Sequence, residues 1–195
     1  MNFPLTLSFK KIALSPQVSV TDANGQLLFY VKQKLFKLKE AITVYADREQ
    51  TQPLYYINAD RIIDFSARYH FTDTNGTELG SIKRDGRRSL WKARYDIADG
   101  NQIAFMRIRE ENGWVKVMDA IFGEVPILGI FSGYVFNPVY LVERPEGELV
   151  LKVKKEPAFL ESNFTIEKHG ELTEAETLPV ILGVLLMTML ERMRG

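Results

Sequence analysis

Leu178-Pro-Val-Ile-Leu-Gly-Val-Leu-Leu-Met-Thr-Met-Leu190 is the stretch that dictates how the rest of the chain must be arranged. Its 13 residues carry no charge, and Thr188 is the one hydroxyl among them. A helix of this length covers roughly 20 Å, against about 30 Å of bilayer hydrocarbon, which is short for a membrane span. Glu174 and Glu176 bound it on one side, and Glu191, Arg192 and Arg194 on the other. A helix lying on a sheet keeps a polar stripe, whereas one that is apolar all round is enclosed by lipid or by protein. We expect protein. Thr173-Glu-Ala-Glu176 has the spacing of a capping box, which satisfies two orphan amide donors at a helix start. Pro179 lacks an amide hydrogen and is best tolerated in a first turn, so the regular helix is expected to begin nearer Thr177. Arg192 and Arg194 suit the negative end of the helix dipole.

A rod of this kind needs a wrapper, and the preceding sequence supplies one. Up to about Lys155 the chain reads as short runs rich in Val, Ile, Tyr, Phe and Thr, separated by turn dipeptides. Asn24-Gly25, Asn75-Gly76, Asp85-Gly86 and Asp99-Gly100 each offer the positive φ of a tight hairpin turn. In 89–97, Trp91, Ala93, Tyr95 and Ile97 share one face and Lys92, Arg94 and Asp96 the other; in 149–154, Leu149, Leu151 and Val153 oppose Lys152 and Lys154. One dry and one wet face is the mark of antiparallel sheets. Asp22, Asp47, Asp73 and Asp99 recur at spacings of 25, 26 and 26 residues, each followed by a strand-like run. That spacing is two strands and their turns, so the chain goes up and down in hairpins.

About ten to twelve strands precede the rod. Eight strands make a barrel filled by its own side chains, and roughly twelve leave a hole near the 10–12 Å width of a helix. The expected fold is therefore mainly β: an antiparallel barrel of about twelve strands enclosing a hydrophobic C-terminal helix. No linker or composition break divides the chain, so residues 1–195 are expected to form one unit with 174–193 as its central helix. A second apolar stretch, 115–142, contains Gly123, Pro126, Gly129, Gly133 and Pro138, and these breakers exclude a continuous spanning helix. It reads as a long buried connection. The N-terminal residues show no basic region, apolar core and small-residue cleavage site in series, so no signal peptide is expected.

Lys plus Arg and Asp plus Glu both number 25, a balance that argues against a nucleic-acid binder. Cysteine is absent, which removes disulfides, thiolate metal sites and cysteine nucleophiles, and fits a reducing compartment.

The order of several motifs carries a family resemblance. Tyr30-Val-Lys-Gln-Lys-Leu-Phe36, Ile42-Thr-Val-Tyr45, Leu54-Tyr-Tyr-Ile57, and the run from Tyr69 through Asp73 and Gly76 to Leu79-Gly-Ser-Ile82 resemble the LURP-one-related proteins. These group with the tubby C-terminal domain and the phospholipid scramblases. Phe131-Ser-Gly-Tyr134, Asn137-Pro138 and the apolar C-terminal helix are similar to the scramblases. The resemblance implies a twelve-stranded barrel around a hydrophobic helix, in agreement with the argument from the rod. Its functional implications are phosphoinositide reading as in tubby domains, calcium-dependent lipid movement as in scramblases, and defence as in plant LURP-one proteins. The chain departs from the animal scramblases in having no cysteine cluster, no Pro-rich N-terminal extension and no Asp-x-Asp-x-Asp-Gly calcium loop.

The densest cationic cluster is Lys83, Arg84, Arg87 and Arg88, continued by Lys92 and Arg94. Arg grips phosphate bidentately, and polybasic patches gain affinity for anionic membranes, so these six residues are the candidate anionic-lipid or phosphate site. The alternative reading of the same residues is a solvated hairpin turn. Lys32, Lys34, Lys37 and Lys39 form a second cluster that reads as an outer strand face. His70 and His169 are too far apart in sequence to suggest a zinc site, and no catalytic constellation or nucleotide loop is legible. Glu110-Glu111 and Asp60/Asp64 read as surface charges, and Trp91 and Trp114 as core or rim. A helix-filled barrel has no central ligand cavity. The expectation is a non-enzymatic binding protein without cofactor or metal, cytoplasmic or peripheral to the inner face of a membrane. Its partner would be an anionic membrane surface or a protein, and not nucleic acid. The alternative is a scramblase-like membrane protein.

Overall fold

Alternating apolar residues turn the chain into strands, and the strands close on the rod. The computed structural model describes residues 1–10, 17–32, 41–61, 67–85, 94–111, 138–156 and 161–192. Within them lie β1 (Leu5–Lys10), β2 (Gln17–Thr21), β3 (Leu27–Lys32), β4 (Ala41–Tyr45), β5 (Pro53–Ala59) and β6 (Arg68–Asp73). There follow β7 (Glu78–Arg84), β8 (Arg94–Ala98), β9 (Ala104–Glu110), β10 (Val139–Glu143), β11 (Leu149–Glu156), β12 (Glu161–Lys168) and the helix α1 (Glu174–Arg192). Each strand pairs antiparallel with the next, and β1 pairs with β12, so the barrel is closed and has no sheet edge. The twelve-stranded antiparallel barrel is the one the sequence predicts.

Strand alternation sends one side chain of every pair to the lumen. Leu5, Leu7, Ile57, Phe71, Ile82, Ile97, Ile108 and Ile166 are all at 0 % exposure and pack on α1. From Val180 to Met187 every helix residue is buried, on every side of the helix. Thr188, the polar exception, donates its hydroxyl to the carbonyl of Leu185 at 2.8 Å. The helix leans on β7 and β8, and two glycines make that approach possible. A Cβ at Gly183 would come within 2.9 Å of Ile97 Cδ1. One at Gly80, whose φ is +153°, would meet the Ala98 carbonyl at 2.6 Å and Pro179 Cβ at 3.1 Å.

The helix starts at Glu174, ahead of the position predicted from Pro179. The capping box explains the difference. Glu176 N–H donates to Thr173 Oγ1 at 3.3 Å and Thr173 N–H to Glu176 Oε2 at 2.8 Å, so the first turn is closed before the proline is reached. Met193 and Arg194 lie outside the described residues. So does most of the apolar stretch 115–142, apart from its end, which enters β10.

The recurrent aspartates mark one repeated hairpin. Asp22 Oδ1 accepts from the amides of Asn24 and Gln26, Asp73 Oδ1 from Asn75 and Thr77, and Asp99 Oδ1 from Asn101 and Ile103. Asp47 holds the amides of Thr51 and Gln52 in a longer turn. Three residues after each aspartate stands a left-handed residue: Gly25, Gln50, Gly76 and Gln102. A register shift precedes each turn, as in hairpins closed by a left-handed residue and a bulge. Gly100, expected to supply positive φ, does not; Gln102 takes that conformation instead. Asp85 donates its amide to the Arg94 carbonyl at 3.0 Å, extending the β7–β8 ladder, and Gly86 lies outside the described residues.

Candidate anion-binding face

Alternation decides which basic side chains reach the outside. In β7, Ile82 and Arg84 turn inward and Lys83 outward; in β8, Tyr95 and Ile97 turn inward and Arg94 and Asp96 outward; in β9, Met106 and Ile108 turn inward and Arg107 and Arg109 outward. Register then aligns Arg68, Lys83, Asp96, Arg107 and Glu143 in one row across β6 to β10. One step along, Arg94 stands directly opposite Arg109. Like charges so placed repel, and carboxylates temper the repulsion. Arg109 is held bidentately by Glu143 at 2.8 and 2.6 Å, while Arg94 lies 3.9 Å from Asp85. Arg107 Nε donates to Asp96 Oδ1 at 2.9 Å. Arg68 Nη1 donates to the neutral Ser81 hydroxyl at 3.0 Å, and Lys83 is exposed, with no ion pair among the described residues.

Of the six residues singled out in the sequence, Lys83 and Arg94 therefore lie on one outer face, and Arg87, Arg88 and Lys92 lie outside the described residues. Arg84 is set apart, 9 % exposed at the lumen end. Its Nη2 is 3.8 Å from Glu191 Oε1, and its guanidinium lies 5.8 Å from the centroid of the Tyr95 ring. The Tyr95 hydroxyl donates to Glu191 Oε1 at 2.5 Å. Burial pushes the Tyr95 and Tyr140 hydroxyls far above the ordinary tyrosine range, and the Glu191 charge adds to it, so both remain neutral donors. Arg68, Arg107 and Arg109 escaped the sequence reading because register, not proximity in the chain, brings them to Lys83 and Arg94. The signal was present in Arg107 and Arg109, which alternate with Met106 and Ile108.

At the opposite mouth, the β10–β11 turn repeats the backbone bonds of the Asp22, Asp73 and Asp99 hairpins, with Arg144 in the aspartate's place and Gly147 left-handed at φ +95°. Arg144 Nε lies 3.3 Å from Glu148 Oε2 of its own turn, and its two Nη groups point to the start of the helix. It grips Glu176 at 2.6 and 3.2 Å and the Glu171 carbonyl at 3.0 Å. That guanidinium, together with the Thr173 amide, lowers the Glu176 carboxyl to about 2. A groove of about 480 Å³ opens beside this end, lined by Met1, Phe3, Tyr55, Lys168, Leu172 and Leu178 among others. Lys168, on its lining, is paired with Glu171 at 2.7 Å. His70 Nδ1 lies 2.9 Å from Glu78 Oε1 on the outside, and His169 lies 3.4 Å from Glu167. Asp60 accepts from the Arg68 amide, and Glu111 pairs with Lys152 at 3.5 Å. Among the described residues no three His, Asp or Glu side chains are grouped to hold a metal.

The sequence model of the LURP-one-related family matches residues 27–123, about half of the chain, from the start of β3 past the end of β9. The chain belongs to the LURP-one-related family. The matched span includes β6 to β9, so the cationic face is built within the LURP-one-related region. The fold is similar to the X-ray structure of a protein from Arabidopsis thaliana, with 15 % identity, a TM-score of 0.51, and coverage of 97 % of this chain and 93 % of that one. No curated protein matches this LURP-one-related chain in sequence.

Proposed function

We propose that this LURP-one-related protein is a non-enzymatic binding module whose outer face, on β6 to β9, meets anionic phospholipid headgroups. One observation carries the reading: α1 fills the lumen, which moves ligand recognition to the outside, where Arg68, Lys83, Arg94, Arg107 and Arg109 gather. The polarity supports a peripheral placement. A barrel that spans a membrane shows lipid an apolar exterior, whereas apolar side chains here line the lumen and charges cover this face. Among the described residues no helix is long and apolar enough to cross a membrane. On this reading the protein sits in the cytoplasm and at the inner membrane surface, released by salt.

Sedimentation with vesicles of phosphatidylcholine, with and without phosphatidylglycerol, tests the reading. Binding should require the anionic lipid and fall about ten-fold or more when Lys83→Glu and Arg107→Glu are combined. Arg84 is left unchanged because its reversal would disturb the lumen. Unchanged sedimentation of the double variant would remove this face from the proposal, leaving an acidic protein partner as its other class of occupant. A scramblase-like role would require α1 to exchange the lumen for lipid, breaking the Arg144–Glu176 and Tyr95–Glu191 contacts together. Such a protein would resist extraction by salt and need detergent.

A further inference from the structure

We propose that Asp96 is a built-in counter-ion that holds the cationic face below its full affinity for anionic headgroups. The inference rests on the headgroup reading above and adds its regulation. Asp96 stands at the middle of the group. Lys83 is directly opposite on β7, Arg107 directly opposite on β9, and Arg94 two residues away on the same outer side of β8. Its carboxylate thus occupies the position from which a phosphate would touch most of these side chains.

The neighbouring ion pairs differ in how readily they open. Arg109 is gripped bidentately by Glu143, whose side chain is 16 % exposed, so this pair stays closed. The Arg107–Asp96 pair is single-bonded and its side chains are 40 % and 38 % exposed. Exposed pairs of this kind are weak, and an external phosphate can take over the guanidinium. Among the described residues Asp96 binds no backbone amide with its side chain; it lies within β8 and has Arg107 as its hydrogen-bond donor. A headgroup approaching the face therefore competes with Asp96 for Arg107 and is repelled by its charge. The carboxylate sets a threshold: sparse anionic lipid leaves the internal pair closed, and dense anionic lipid displaces it.

The test compares the full chain with Asp96→Asn on vesicles of phosphatidylcholine with and without phosphatidylglycerol. Glu171→Gln, at the other end of the barrel, removes one equal charge far from the face. Removing the counter-ion should raise partition into phosphatidylglycerol vesicles about five-fold, leave pure phosphatidylcholine unbound, and do more than Glu171→Gln. Equal partition of Asp96→Asn and the natural chain, with binding still lost in the Lys83→Glu/Arg107→Glu variant, would overturn the counter-ion and leave the headgroup reading standing. An equal gain from Glu171→Gln would also overturn it, as an effect of net charge alone. If neither the natural chain nor Asp96→Asn sediments, the headgroup reading falls and the counter-ion with it. Near-UV circular dichroism checks the fold, and Asp96→Ser replaces the asparagine variant if that one is misfolded.

Discussion

The two mouths of the barrel solve the same problem by different means. Where α1 begins, four hairpins are each closed by an aspartate that binds amides two to five residues ahead. The fifth has Arg144 there, whose side chain ties Glu148 of the hairpin to Glu176 of the helix. Where α1 ends, closure depends on Tyr95 meeting Glu191, 96 residues away, beside a buried Arg84. The first mouth is an assembly of local bonds plus one clamp. The second exists only when strands and helix have already come together. Local bonds can fail singly at small cost, whereas a buried charge cluster fails as a unit.

Ending the chain after Glu176 empties the lumen and removes the second mouth's Glu191, and it has the largest expected effect. Roughly ten large side chains would leave the core, each contributing about 1.5–3 kcal/mol, which exceeds a typical net stability of about 5–15 kcal/mol. Native near-UV circular dichroism should vanish; a monomeric truncated chain that kept it would refute the account of the lumen. Next, Glu191→Leu leaves Arg84 in the barrel without this carboxylate and should lower unfolding stability by about 3 kcal/mol. Glu191→Gln retains an acceptor for Tyr95 and should lose less. Urea denaturation distinguishes them, and equal losses would show that the Tyr95 hydrogen bond is immaterial.

At the first mouth, Glu176→Gln should cost about 2 kcal/mol at neutral pH. Its carboxyl lies at about 2 in the folded protein against an ordinary 4.5. A depressed folded value means that the stabilisation is complete above about pH 4.5 and is lost as pH falls toward 2. The natural chain should therefore lose part of its stability across that window and the variant should not; parallel acid titrations would sever the clamp from helix stability. Smallest are the turn changes. Asp99→Ala should cost about 1 kcal/mol, while Gln102→Gly, at φ 64°, should stabilise by about 0.5 kcal/mol. Thermal melts that move in the same direction for both would contradict the turn geometry.

The same contrast governs what could be read from the sequence. The aspartate spacing is visible because each turn is closed within a few residues, although only the folded structure shows that the third position, not Gly100, carries the left-handed residue. The rod was legible because an uncharged helix has few environments. Arg84 was grouped with its charged neighbours when its parity with Gly80 and Ile82 already aimed it inward. Arg144 gave no local sign of its task, since its partner is 32 residues away. The row through Asp96 was likewise hidden, because it is written across five strands and no short segment contains it.

The position of α1 in the chain has a consequence for synthesis. All twelve strands precede it, and β1 finds its closing neighbour only in β12. On the ribosome the first strands therefore emerge with nothing to enclose and an unpaired flank. Closing the barrel over a filled lumen requires α1, and until it is made the apolar faces of the strands have no partner to bury them.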